Sequence, residues 1–151
     1  MNIVLYQPEI PHNTGAIGRT CLVTNSALHL IHPLGFFLDE KNLKRSGLDY
    51  WHKLKVLEYE SFDDFLKKNP TSEIFFIETN GEKKYTDMRY SKNCFLVFGS
   101  ETIGLPKYIL DKYQKKVVYI PMVEGERSIN LSVAVGIVLY EALRQTGFTK
   151  A

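Results

Sequence analysis

Three short stretches combine residue types that can do chemistry. In "GERSIN", Arg127, Ser128 and Asn130 stand immediately before the apolar run "LSVAVGIVLYEAL". Polar groups at the mouth of a buried helix need partners, because each one left without a hydrogen bond costs about 1–3 kcal/mol. Capping by Ser128 or Asn130 accounts for one of them and leaves Arg127 over. "NTGAIGRT" sets Asn13 and Arg19 among small and apolar neighbours. An arginine there is either a surface charge with a buried stem or a cation held for a ligand. "GSETIGLP" places Glu101 between Gly99 and Gly104. The glycines let backbone approach a ligand closely, and the carboxylate suits either that ligand or the first turn of a following helix.

Other chemistries are excluded by type and spacing. The glycine stretch lacks the Lys-Ser/Thr ending of a phosphate-binding loop and the GxGxxG spacing of a dinucleotide turn. His12, His29, His32 and His52 do not have metal-ligand spacing, no serine or cysteine pairs with a histidine in a hydrolase order, and no metal is expected. Cys21 and Cys94 sit in the apolar segments "RTCLV" and "NCFLVF", the setting of two buried reduced thiols. Basic and aromatic residues alternate in "KNLKRSGLDYWHKLK", which holds Lys44, Arg45, Tyr50 and Trp51. Cations beside stacking surfaces suit flexible nucleic acid, and a charge-rich loop is equally a solvated one.

The elements that must position these residues follow from apolar patterning. "NIVLY", "LHLIH", "KVLEY", "EIFFIET", "CFLVFGSE" and "KVVYIPM" read as strands, several of them apolar throughout and then polar or glycine-bearing. Between them lie a helix starting near Thr14 and capped by Asn13 or Thr14, a short helix around Lys41 to Arg45, "SFDDFLKKN" capped by Ser61, "PKYILDKY", and a final helix from about Ser128 to Gln145. Continuous Val, Ile, Leu and Phe runs interleaved with helices predict an α/β fold, a mostly parallel sheet with helices on both faces. Ligands in such sheets bind outside the carboxyl ends of the strands, where the three stretches fall.

The chain of 151 residues fits one domain spanning 1–151, with 44% hydrophobic and 24% charged residues. A net charge of +2 and a pI near 8.4 are too mild for wrapping nucleic acid by charge alone, so RNA contact must come from local patches. The amino terminus "MNIVLYQPEIP" has no basic region followed by a long apolar core, and no run reaches a membrane-spanning length. A soluble, cytoplasmic protein without membrane association is expected.

Together the motifs resemble the SPOUT class of RNA methyltransferases, and within it the small wobble-nucleotide tRNA 2′-O-methyltransferases. "PEIPHNTGAIGRT" resembles the first motif, "FGSETIGLP" the second and "IPMVEGERSINLSVAVGIVLYEALRQ" the third, while "HPLGF" and "LKRSGLDYW" also match this subfamily. The resemblance implies a Rossmann-like domain with a deep carboxyl-terminal trefoil knot, a homodimer, and S-adenosylmethionine bound in the knot. Its implied activity is 2′-O-methylation of nucleotide 34, cytidine or modified uridine, in the anticodon stem-loop of tRNA. A noncatalytic RNA-binding or assembly protein of this fold, or a relative acting on another tRNA or rRNA position, are the alternatives.

Carried over residue by residue, the resemblance assigns the cofactor to Ile77, Thr79, Gly99, Glu101, Ile120, Met122, Ser128 and Leu131. Arg19 matches the arginine implied to act at the target hydroxyl, with Asn13, Ser128 and Asn130 beside it. Lys44, Arg45 and Arg127 are the implied RNA contacts. The chain departs from the pattern at Ile103, where arginine is common, and at Val133, where asparagine is common.

Overall fold

The computed structural model describes residues 1–38 and 50–148. The short helix expected around Lys41 to Arg45, and with it Lys44 and Arg45, lies outside the described residues.

All six expected strands form: β1 (Asn2–Tyr6), β2 (Ala27–Ile31), β3 (Val56–Tyr59), β4 (Ile74–Ile77), β6 (Phe95–Phe98) and β7 (Val117–Tyr119). A seventh, the two-residue edge strand β5 (Lys83–Lys84), was not foreseen, being too short and too polar to show any period. The sheet has the order β3-β2-β1-β6-β4-β7-β5, and every neighbouring pair is parallel. Alternation along each strand supplies two cores. Ile3, Leu5, Phe75, Ile77, Leu96 and Phe98 face one side, where they meet α1 (Pro11–Val23) and α4 (Leu131–Thr146). Val4, Phe76, Phe95 and Val97 face the other, against α2 (Phe62–Lys68) and α3 (Lys107–Lys112). Strands buried on both faces have no polar side to show, hence their unbroken apolar sequence.

Two helix starts differ from expectation, and both shifts matter for the site. α1 begins at Pro11 rather than near Thr14, since proline suits a first turn whose N–H would lack a helical partner. Its N-cap residue is Ile10, so neither Asn13 nor Thr14 caps it; both are buried within the helix. α4 begins at Leu131, three residues after the expected Ser128, and its cap is Asn130, whose Oδ1 accepts from the N–H groups of Ser132 at 2.9 Å and Val133 at 3.4 Å. Ser128 belongs to the preceding loop. By contrast α2 starts as read, with Ser61 Oγ accepting from Asp64 N–H at 3.1 Å.

After β4 the chain returns over the α1/α4 face, where Tyr90 joins the core, then enters β6 between β1 and β4. It crosses on α3 to β7, beyond β4, and comes back on α4. Gln145 near the end of α4 ties to that earlier segment, donating to Met88 O at 3.0 Å and accepting from Tyr90 N–H at 3.1 Å. A trefoil knot is consistent with this path.

Cys21 and Cys94 are free and buried, and burial pushes their thiols up to about 12 and about 11. His29 is part of the core rather than of any site. Its Nδ1 lies 2.8 Å from Tyr59 Oη and its Nε2 3.2 Å from Asn2 Oδ1, while Phe95 packs against the ring. Burial, with Lys55 adding to it, pulls its pKa down to about 4. The native state therefore holds a neutral imidazole that the unfolded chain protonates below about 6.5. Stability from this site is complete above that pH and falls as pH drops toward 4, by up to about 3 kcal/mol. Urea unfolding at pH 7.5 and pH 4.5 should show a smaller pH-dependent loss for His29→Gln than for the wild type; equal losses would refute the assignment.

Candidate active site

The loops after β1, β4, β6 and β7 enclose a cavity of about 560 Å³. Its wall contains every residue assigned to the cofactor: Ile77 and Thr79 after β4, Gly99 and Glu101 after β6, Ile120 and Met122 after β7, then Ser128 and Leu131. Asn13, Arg127 and Asn130 line it as well. Arg19 does not. It lies six residues along α1 from Asn13, which at 3.6 residues per turn and 1.5 Å per residue turns it roughly 240° around the axis and carries it about 9 Å away. Arg19 is exposed, and its guanidinium carbon lies over the Tyr50 ring, 4.5 Å from its centroid.

Glycine at 99 and 104 is required by the loop itself. A Cβ on Gly99 would stand 2.1 Å from the carbonyl carbon of Gly104, so the space left by its missing side chain is filled by backbone. The loop closes on itself through Ser100 and Gly104, joined by N–H···O bonds of 3.3 and 3.0 Å. Gly104 has φ +76, and a Cβ there would meet the Glu78 carboxylate at 2.5 Å. That carboxylate accepts from Leu105 N–H at 3.0 Å and Thr79 N–H at 2.9 Å, fixing the second motif to the end of β4.

Glu101 serves a different helix from the one sequence position suggests. Its oxygens accept from the N–H groups of Glu9 at 2.8 Å and Ile10 at 3.1 Å, and from Asn13 Nδ2 at 3.1 Å. It thus sits at the positive end of α1, rather than in the first turn of α3. Glu9 answers in the opposite direction, its Oε2 accepting from Thr102 N–H at 2.9 Å and Thr102 Oγ1 at 2.6 Å. Asn13 passes the connection on, its Oδ1 accepting from Asn130 Nδ2 at 3.0 Å. One chain of hydrogen bonds therefore runs from the second motif through the first to the cap of α4. Glu9 and Glu78 are the residues that sequence reasoning missed; a carboxylate next to a proline, and one ending a strand, were the available signals.

The lining is mixed. Ile77, Phe98, Ile120, Met122, Leu131 and Ala134 offer apolar surface for a flat ring, and the strand-end backbone and the hydroxyls of Thr79, Ser100 and Ser128 offer hydrogen bonds. Glu78 and Glu101 bring carboxylates and Arg127 a guanidinium to the lining, so it carries charges of both signs. These features fit S-adenosylmethionine, with its adenine, ribose and sulfonium. Among the described residues no group of His, Cys, Asp and Glu is arranged to hold a metal ion, and no helix is long and apolar enough to cross a membrane.

Glu101→Gln replaces an oxygen that accepts N–H bonds with an amide that donates. Denaturant unfolding should give a loss of about 1–3 kcal/mol, and a cost below a few tenths would show that the carboxylate is not bonded as described.

The SpoU rRNA Methylase family description matches residues 1–140. The chain is 44% identical over 152 residues to the tRNA (cytidine(34)-2′-O)-methyltransferase of Escherichia coli K12, covering 100% of this chain and 97% of that protein. A structure solved for "2-OH methylation of C/U34 on tRNA" superposes with a TM-score of 0.89 at 42% identity, covering 95% of this chain and 94% of its own. The SpoU methyltransferase AviRb of Streptomyces viridochromogenes, in complex with AdoMet, shares the fold at a TM-score of 0.80 and 23% identity, covering 96% of this chain and 57% of its own. A family match over 140 residues, on a parallel α/β sheet whose three motifs meet at one cavity, means that this chain belongs to the SpoU methylase family.

Proposed function

We propose that this protein is a cytoplasmic, single-domain, S-adenosylmethionine-dependent methyltransferase of the 2′-hydroxyl of nucleotide 34, cytidine or modified uridine, in the tRNA anticodon stem-loop. The observation that carries this reading is the convergence of all eight cofactor-assigned residues on one cavity, beside Asn13 and Asn130. The family membership and the name of the E. coli relative support the same substrate class.

Ile77, Thr79, Gly99, Ile120, Met122, Ser128 and Leu131 would hold the cofactor in the carboxyl-terminal knot, where it would supply a methyl group already activated by its sulfonium. Glu101, engaged with the β1–α1 loop, shapes the wall. The protein's part is then alignment, exclusion of water and care of the hydroxyl proton. Bound there, the cofactor would supply the methyl for a new O–CH3 bond as its own S–CH3 bond broke, with the hydroxyl proton passing to phosphate or water. Arg19 cannot accept it, because a guanidinium stays protonated. It orients ribose and phosphate and stabilises the developing alkoxide, while Asn13, Ser128 and Asn130 order the adjacent cavity wall.

Arg19 is too far around α1 to line its own cavity, and a homodimer supplies the missing proximity. α4 presents Val133, Ile137 and Tyr140 on one stripe, with Val133 52% and Tyr140 49% exposed, and a Cβ on Gly136 would meet nothing within 4 Å. A second copy seated on this stripe would bury it, leaving Lys44 and Arg45 of one subunit and Arg127 near the cavity of the other to hold RNA. Val133, where asparagine is common, is then an apolar contact between subunits.

Transfer of radiolabelled methyl from S-adenosylmethionine to undermodified tRNA, with the product located by nuclease digestion, should give ribose methylation at position 34. Methyl on a base, at another position or nowhere would overturn the reading. Arg19→Ala should lower turnover about 100-fold or more while leaving cofactor affinity nearly unchanged. In sedimentation at micromolar concentration the wild type should run as a dimer and Tyr140→Glu as a monomer; a monomeric wild type would remove the proposed assembly.

A further inference from the structure

We infer that Tyr50 is a positioning residue for Arg19, setting the direction of its guanidinium; the inference rests on the reading that Arg19 works at the target hydroxyl. An arginine on the exposed side of a helix has many side-chain rotamers, and a group that must meet one oxygen of a substrate needs most of them removed. Arg19 has a surface that does this. Its guanidinium carbon lies 4.5 Å from the centroid of the Tyr50 ring, within the range of a cation–π contact.

The ring is itself immobilised. Tyr50 is 9% exposed and its hydroxyl donates to Gly15 O. That carbonyl is the one to which the i to i−4 pattern of α1 directs the N–H of Arg19, so the tyrosine is tied to the same turn of helix that carries the arginine. The next residues hold the platform down. A Cβ on Gly18, the neighbour of Arg19, would lie 3.0 Å from both the Trp51 ring and Leu54 Cδ2, so glycine there lets the 50–54 segment lie directly on α1. A guanidinium lying flat on the ring would use its face there and leave the N–H donors, which lie in the plane of the group, to point past the ring edge. The aromatic character of residue 50, more than its hydroxyl, is what directs the arginine.

The test uses the full-length protein and undermodified tRNA, with Tyr50→Phe, Tyr50→Met, Arg19→Ala and the double variant Tyr50→Met/Arg19→Ala. Readouts are kcat and KM for tRNA, cofactor Kd, thermal midpoint, and the Arg19 Nε–H proton shift by NMR, which a stacked ring moves upfield. Tyr50→Phe should keep the upfield shift and stay within about threefold of wild-type kcat, whereas Tyr50→Met should lose the shift and about tenfold in kcat with cofactor Kd unchanged. In single-turnover reactions at high enzyme, Tyr50→Met should cost little more once Arg19 is alanine. Wild-type kcat in Tyr50→Met alongside an inactive Arg19→Ala would overturn the positioning role alone. An active Arg19→Ala would instead overturn the reading beneath it. Equal losses in the Phe and Met variants, or a Met variant too unstable to bind cofactor with Phe also impaired, would assign the effect to packing and reject the inference.

Discussion

The Glu101 carboxylate and the start of α1 hold the architecture of the site together. β1 and β6 are neighbours, yet the helix after β1 covers one face of the sheet and the helix after β6 covers the other. In an open parallel sheet such divergence leaves a crevice between the two loops. Here Glu101 accepts the N–H groups of Glu9 and Ile10 while Glu9 accepts from Thr102, so the crevice is laced shut from both sides. Hydrogen bonds to a charged acceptor are worth more than neutral ones, and the positive end of a helix strengthens them. The cavity consequently forms one step along, under the ends of β6, β4 and β7, with Asn13 and Asn130 on its rim.

Much of this fold was legible because strands buried on both faces leave an unmistakable mark: four of the six expected strands contain a run of at least three apolar residues, and all six formed. β5 was not legible, since two lysines on an edge carry no pattern. Helix starts were misjudged for a common reason. Asn13 looks like a cap by residue type, but its side chain is spent on Glu101 and Asn130, contacts 88 and 117 residues distant that no local rule can supply. The true cap of α4 was among the two candidates, and the geometry selects Asn130. The same long-range logic hid Glu9 and Glu78, whose partners lie on loops far along the chain.

The polar opening of α4 now has a physical account. Asn130 is both helix cap and the last member of a hydrogen-bond chain that begins at Glu101, and Arg127 and Ser128 stay outside the helix because they belong to the cavity wall. Glycine plays a similarly double part in the second motif, where Gly99 and Gly104 touch backbone to backbone and leave their neighbours to face the cavity. For the proposed reaction this gives rigidity where a cofactor must be gripped, and it leaves Arg19, on the far side of α1, to be ordered by other means.

α4 spans two surfaces with a single rigid rod. Leu131 and Ala134 form part of the cavity wall, while Val133 and Tyr140 look outward from intervening turns. A ligand that shifts or stiffens the first turn of that rod changes what any neighbour on the outer stripe encounters. Thermodynamic linkage would make any such influence mutual and equal in free energy: whatever occupancy of the cavity did to coverage of the outer stripe, coverage would do to occupancy.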